Sequence, residues 1–326
     1  MATVEANKTL ITLAREDTYG AASGTALVPV IKLPDMMEYS FGNTQISVPQ
    51  KTLTLEPKIK TSQSGRESPT VTLSGILTDT HMEFLIGFFG YVGTVDASTT
   101  TFVWQTSDVA ADAVGHSYTI SQCIPVAADD WGDGVQALGC RLETLEISKN
   151  GEYIGYTATF RAKSINDDVS FNTYTFGTVA NTSYPELTPF LWQLVTCSLL
   201  DTKAVTKINT FGLTLTNEFM PDDSAFQNSH IKTRDYVCSS SGQLTAEWIY
   251  ETDDDDQVYD NLFSQTTNTD VITLVTSAHT WAITTEGQYQ DYSKPDKEKC
   301  LYAGNFTKAL FGDGSNTALS IVRTAI

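Results

Sequence analysis

Over most of the chain, apolar and polar residues change places every second position, the period of a β-strand with one face buried. In "TVTLSGIL", Thr70, Thr72 and Ser74 fall on one side and Val71 and Leu73 on the other. In "GLTLTNEF", Thr214, Thr216 and Glu218 oppose Leu213, Leu215 and Asn217. In "QLTAEWIYE", Thr245 and Glu247 oppose Leu244, Ala246 and Trp248. Runs rich in strand-forming residues also include "KTLTLEPKIK", "TFVWQT", "HSYTIS", "RLETLEIS" and "YIGYTATFRA" in the first half. The second half has "DVITLVTS", "HTWAITT", "YAGNFTKAL" and "TALSIVRT". Asn150 with Gly151, and Asp313 with Gly314, each lie between two runs, as two-residue hairpin turns do. The pattern predicts a mainly β protein whose antiparallel sheets show one face to water.

Two segments switch to a helical period. "DTHMEFLIGFF" spaces Met82, Leu85, Ile86 and Phe89 along one stripe, and "DDDDQVYDNLF" does the same with Val258, Tyr259, Leu262 and Phe263. Asp79 to Phe89 and Asp253 to Phe263 align without a gap. Thr78 with Asp79, and Thr252 with Asp253, offer capping side chains, and further acids favour the positive end of a helix. The run of four aspartates from Asp253 therefore reads as a helix start. A calcium loop needs converging oxygens, and adjacent helical aspartates point apart.

Around both helices the same order of elements is predicted: strand, long polar loop, strand, helix, strand, strand, hairpin. "TVTLSGIL" answers "QLTAEWIY", and "GHSYTIS" answers "AHTWAIT", which puts His116 opposite His279 in a structural role. This order predicts an internal duplication. The chain then divides into an N-terminal arm over 1–45, a first β unit over 46–165, a connection over 166–205 and a second unit over 206–326. Polar loops are expected at 60–69 and 221–242.

Composition narrows the function. A chain of 326 residues, 41% hydrophobic and 10% aromatic, can bury a large core and is not disordered as a whole. With 39 acids against 20 bases the net charge is −19, a poor basis for gripping phosphates. "MEFLIGFFGYVG" is too short to span a bilayer, and the start lacks a basic segment followed by an apolar block; a soluble protein made in the cytosol, with no membrane partner, is expected. Five scattered cysteines without a CxxC read as buried thiols. The four histidines form no ligand spacing, and "DDWGDG" reads as a tight surface turn. No nucleotide-binding loop or nucleophile motif is present. No catalytic residue, metal ligand or cofactor site is singled out, and the chain is not expected to be an enzyme.

One resemblance rests on particular residues. "TLITLAREDTYGAASGTALVPVIKLPDMMEYS", with Arg15, Glu16, Tyr19 and Gly20, resembles the opening of tail tube (major tail) proteins of long, non-contractile-tailed bacteriophages. "SGRESPTVTLSGILTDTHMEFLIGFFG" is similar to that family's strand–helix unit. The resemblance implies β-sandwich or split-barrel units with a flanking helix each, closing into a ring around the tail axis. It implies a homo-oligomer: three duplicated copies in a pseudo-hexameric ring, or six copies if the chain is a single unit, with rings stacked into a tube. Terminator, tape measure and distal tail proteins would be neighbours. The place would be the virion tail, after assembly in the host cytoplasm.

Within that resemblance, Thr70, Thr72, Ser74, Thr214, Thr216, Glu218, Thr245 and Glu247 are the candidate lumen residues, with Asp79 and Asp253 at the helix starts. A hydrated, mildly repulsive wall would let double-stranded DNA pass without binding. The other readings are a terminator, distal hub or baseplate element, and a carbohydrate-binding β module that uses its tryptophans as a platform.

Overall fold

A computed structural model describes residues 10–16, 20, 38–51, 59–79, 82, 85, 91–95, 99–104, 117–127, 130–170, 188–199, 203–205, 208–221, 235–249, 264–293, 303–311 and 318–326. The protein is mainly β, and among the described residues every strand pairing is antiparallel. The first half holds β1 (Leu10–Arg15), β2 (Glu38–Lys51), β3 (Ile59–Ile76), β4 (Tyr91–Val95), β5 (Thr99–Trp104), β6 (Tyr118–Ala127), β7 (Asp130–Asn150), β8 (Tyr153–Arg161) and β9 (Ser164–Ser170). The second holds β10 (Thr196–Leu199), β11 (Lys203–Val205), β12 (Ile208–Pro221), β13 (Asp235–Ile249), β14 (Asn268–Val275), β15 (His279–Ser293), β16 (Ala303–Leu310) and β17 (Leu319–Ala325).

The long strands β7 and β15 organise everything else. The first part of β7 has β6 on one edge and β9 on the other; further along, β8 continues on the edge of β9. β1 extends the sheet beyond β6, and β3 then β2 extend it beyond β8. β15 repeats the arrangement with β14 on one edge and β17 followed by β16 on the other. β10 lies beyond β14, and β13 then β12 beyond β16. A register shift even recurs at the same place, between Leu142 and Thr144 against β8 and between Tyr289 and Asp291 against β16. The hairpin β4–β5 pairs across to β17.

These pairings bear on several sequence expectations. Residues 60–69 are not a loop but part of β3, laddered to β2, and β12 and β13 take up both ends of 221–242. The span 166–205 holds most of β9 together with β10 and β11, and the arm over 1–45 holds β1 and the start of β2. "GHSYTIS" runs into β6 while "AHTWAIT" opens β15, strands that occupy different places in the two pairing orders. "DDWGDG" runs into β7 from Asp130, because Asp130 already pairs with Ala127. The hairpin loop after β7 is Gly151 and Glu152, one residue later than expected; Gly151 has φ +63°, where glycine alone is unstrained. Asp253 and the helix expected from it, His116, and Asp313 with Gly314 lie outside the described residues.

Buried side chains of both halves belong to one core. Val71, Leu73, Leu145, Ile147, Phe160, Leu213, Leu215, Leu244, Ile283 and Phe306 are all among them. Asp79, Met82 and Leu85 are helical, with Met82 and Leu85 buried as the stripe predicts.

Candidate functional site

The polar partners of that core form a single surface. The pairings place Thr72, Thr159, Thr144 and Thr216 next to one another across β3, β8, β7 and β12. The next row on the same face is Ser74, Thr157, Glu146, Thr214 and Gln243. A third row carries Thr245, Thr307 and Asp291. Of the expected lumen residues, Thr70, Thr72, Ser74, Thr214, Thr216 and Glu247 are half-buried, and Glu218 and Thr245 are exposed. Their chain neighbours Val71, Leu73, Leu213, Leu215, Leu244 and Ala246 are buried. All eight thus share the water side of one sheet, because neighbouring strands in register point the same parity of residue to the same face.

Thr144, Glu146, Ser148, Thr157 and Thr159 join this face without being among the expected residues. Their signal is present in "RLETLEIS" and "YIGYTATFRA", whose alternation marks each strand but not the sheet face it joins. Arg161, opposite Thr70, brings a positive charge to this face, and the Glu143 carboxylate pairs with it.

What makes the face continuous is a seam. β7 of the first half pairs directly with β12 of the second, from Thr144 with Thr216 to Ser148 with Gly212. No protein-family model matches the chain, and no curated protein sequence does. Among solved structures, the chain is similar to a chain in the virion of a native gene transfer agent particle. That likeness has 7% identity and a TM-score of 0.31, covering 39% of this chain and 96% of the other. A likeness so faint fixes neither fold nor role.

The two halves are also tied beside the helix. The Asp79 carboxylate, at the helix start, accepts from His279 Nδ1 at 2.5 Å and from Trp281 Nε1. Thr78, just before it, makes a strand bridge with Pro189, and Asp79 N donates to Thr188 O.

Glu16, within the segment that resembles the tail tube opening, makes a tie inside the first half. Its Oε1 accepts from Gly139 N at 2.7 Å and Thr119 Oγ1 at 2.9 Å. Its Oε2 accepts from Ser117 Oγ at 2.6 Å and Gly20 N at 2.8 Å. Gly20 has φ +67°, so the Glu-x-x-x-Gly spacing serves a backbone turn that other residues enter with strain. A buried carboxylate with four donors anchors structure.

Buried thiols accompany buried acids in both halves. Burial, with the Glu16 charge second, pushes the Cys140 thiol well above its ordinary value. Burial, with the Asp270 charge second, pushes Cys197 up to about 12. Both thiols stay protonated and unreactive near neutrality.

Proposed function

We propose that this chain is a structural protein of a virion, a self-assembling subunit of a phage tail tube whose polar sheet face lines the bore. One observation carries the reading: the hydroxyl and carboxylate face runs unbroken from β3 to β13 across the β7–β12 seam. A face built for one bound ligand would gather its polar groups in a pocket. This one spreads threonine and serine over neighbouring strands, with the ion-paired Arg161 on it.

Such a wall suits a conduit. Each cation offered to a passing phosphate would add a favourable contact and release counterions, and stacked rings would multiply it. Hydroxyls and scattered carboxylates keep the wall wet and mildly repulsive, in line with a net charge of −19. The opposite face gives up its leucines, isoleucines and phenylalanines to the core. In this reading the protein is not an enzyme and needs no cofactor. It works in the virion tail among terminator, tape measure and distal tail proteins.

Negative-stain microscopy of the purified protein tests it directly. Hollow tubes of stacked rings are expected, and a preparation that stays monomeric at high concentration overturns the proposal. The lining has its own test, the triple variant Thr214→Lys, Thr216→Lys and Glu218→Lys. It should assemble as wild type does yet deliver genome poorly, and undiminished infectivity would remove these residues from the bore.

A further inference from the structure

We infer that β15 and β2 are the two halves of a second seam, made between copies of this chain. The inference rests on the self-assembly just proposed and specifies the edges and the register.

The pairings set a correspondence between the halves. Val71 faces Phe160, which faces Leu142 just before the register shift of β7; Leu244 faces Lys308, which faces Tyr289 just before the register shift of β15. Leu142 therefore corresponds to Tyr289, Thr144 to Asp291, and Val71 to Leu244. Phe41 pairs with Val71 as Leu213 pairs with Leu244, so β2 corresponds to β12. Neither β2–β3 nor β12–β13 shifts register over the next three pairs, which makes Thr44 the counterpart of Thr216.

Within the chain, β7 offers the edge beyond its register shift to β12. The corresponding edge of β15, beyond Tyr289, has no strand partner among the described residues, and neither does the outer edge of β2. Two unmatched edges, each equivalent to one side of a seam that does form, are complementary to each other. They lie on different strands, so the contact is head-to-tail and propagates from copy to copy. Copied from the seam, the register sets Thr44 of the second copy against Asp291, Asn43 against Tyr292 and Gly42 against Ser293. The row of Thr245, Thr307 and Asp291 would then continue through Thr44 and its partner Ser68, extending the polar face. A fourteen-residue edge strand left open also invites uncontrolled pairing, and closure removes that hazard.

Engineered cysteines test the register. Antiparallel pairs alternate between close and wide spacing, so two adjacent pairs are needed: Thr44→Cys with Asp291→Cys, and Asn43→Cys with Tyr292→Cys. On mild oxidation of assembled protein, at least one double variant should give a ladder of linked chains on a non-reducing gel. Peptide mapping should identify the engineered disulfide. The single variants and the out-of-register pair Thr44→Cys with Ser293→Cys should stay unlinked. Tubes that form without linkage in either pair overturn this interface and leave the tube reading standing. Linkage without tubes supports the interface and sinks the tube. Linkage in the out-of-register pair alone overturns the register.

Discussion

At two positions that the pairings make equivalent, and at a third beside them, the two halves solve one packing problem in opposite ways. The first half places Ile120, Phe160 and Leu142 there, all buried. The second places Asp270, Lys308 and Tyr289. Lys308 Nζ donates to Asp270 Oδ2 at 2.8 Å, Thr285 O at 2.9 Å and Asn268 O at 2.7 Å, and Tyr289 OH donates to Asp270. Asp270 and Lys308 are fully buried. Removing one partner strands a charge, so Lys308→Ala should cost about 3–5 kcal/mol in urea unfolding. Replacing all three with the first half's residues (Asp270→Ile, Lys308→Phe, Tyr289→Leu) should be neutral or stabilising by about 1–4 kcal/mol. A triple variant as damaged as the single one would mean that the two sites are not interchangeable. The Cys197 thiol below this site adds a pH effect. Its proton is held more tightly folded than unfolded, so its contribution is complete below pH 9.0 and is lost as pH rises towards about 12. Above pH 9.0 the wild type should therefore lose stability faster than Cys197→Ala, by up to about 1.4 kcal/mol per pH unit; parallel pH profiles of unfolding would refute the assignment.

At the scale of elements, the strands with one wet and one dry face could be read from the chain, because burial imposes the alternation. β14 follows it residue by residue, as do residues 70–74 of β3, 156–161 of β8, 211–216 of β12 and 319–322 of β17. β2 is not legible in the chain, since "EYSFGNTQISVPQK" carries glycine, proline and polar residues that break the pattern, and its ladder to β3 depends on a distant partner. The same holds for residues 59–69, which pair with β2 alone. β9 and β10 lie in a span read as connection because each is short and defined by what it pairs with, β7 and β14. The strings "HSYTIS" and "HTWAITT" look alike yet fall on strands in different places of the two pairing orders, because a short alternating run fits any half-buried strand. Of the candidate site, the eight named residues and their common face came from alternation. The seam that joins them could not, since nothing local in β7 or β12 states which strand each will meet.

At the scale of the whole molecule, the seam turns a question of partners into one of counting. If the pairing of β7 with β12 and that of β15 with a neighbour's β2 are equivalent, each chain contributes two alike sectors to a closed sheet. The number of sectors is then even whatever the number of copies. Closure of a sheet fixes strand tilt, stagger and circumference together, so sectors of one geometry tolerate few ring sizes. Under the tail tube proposal six sectors are expected, hence three copies if the two halves are alike, with a ring mass of about three times the 35.7 kDa chain. The prediction is a three-copy ring by native mass spectrometry of the covalently linked product, with end-on images that look sixfold at low detail and threefold at high detail. The fine difference should arise where the sectors diverge, at the β4–β5 hairpin, which has no described counterpart in the second half. A ring of six chains would put twelve sectors around the bore and overturn the three-copy ring.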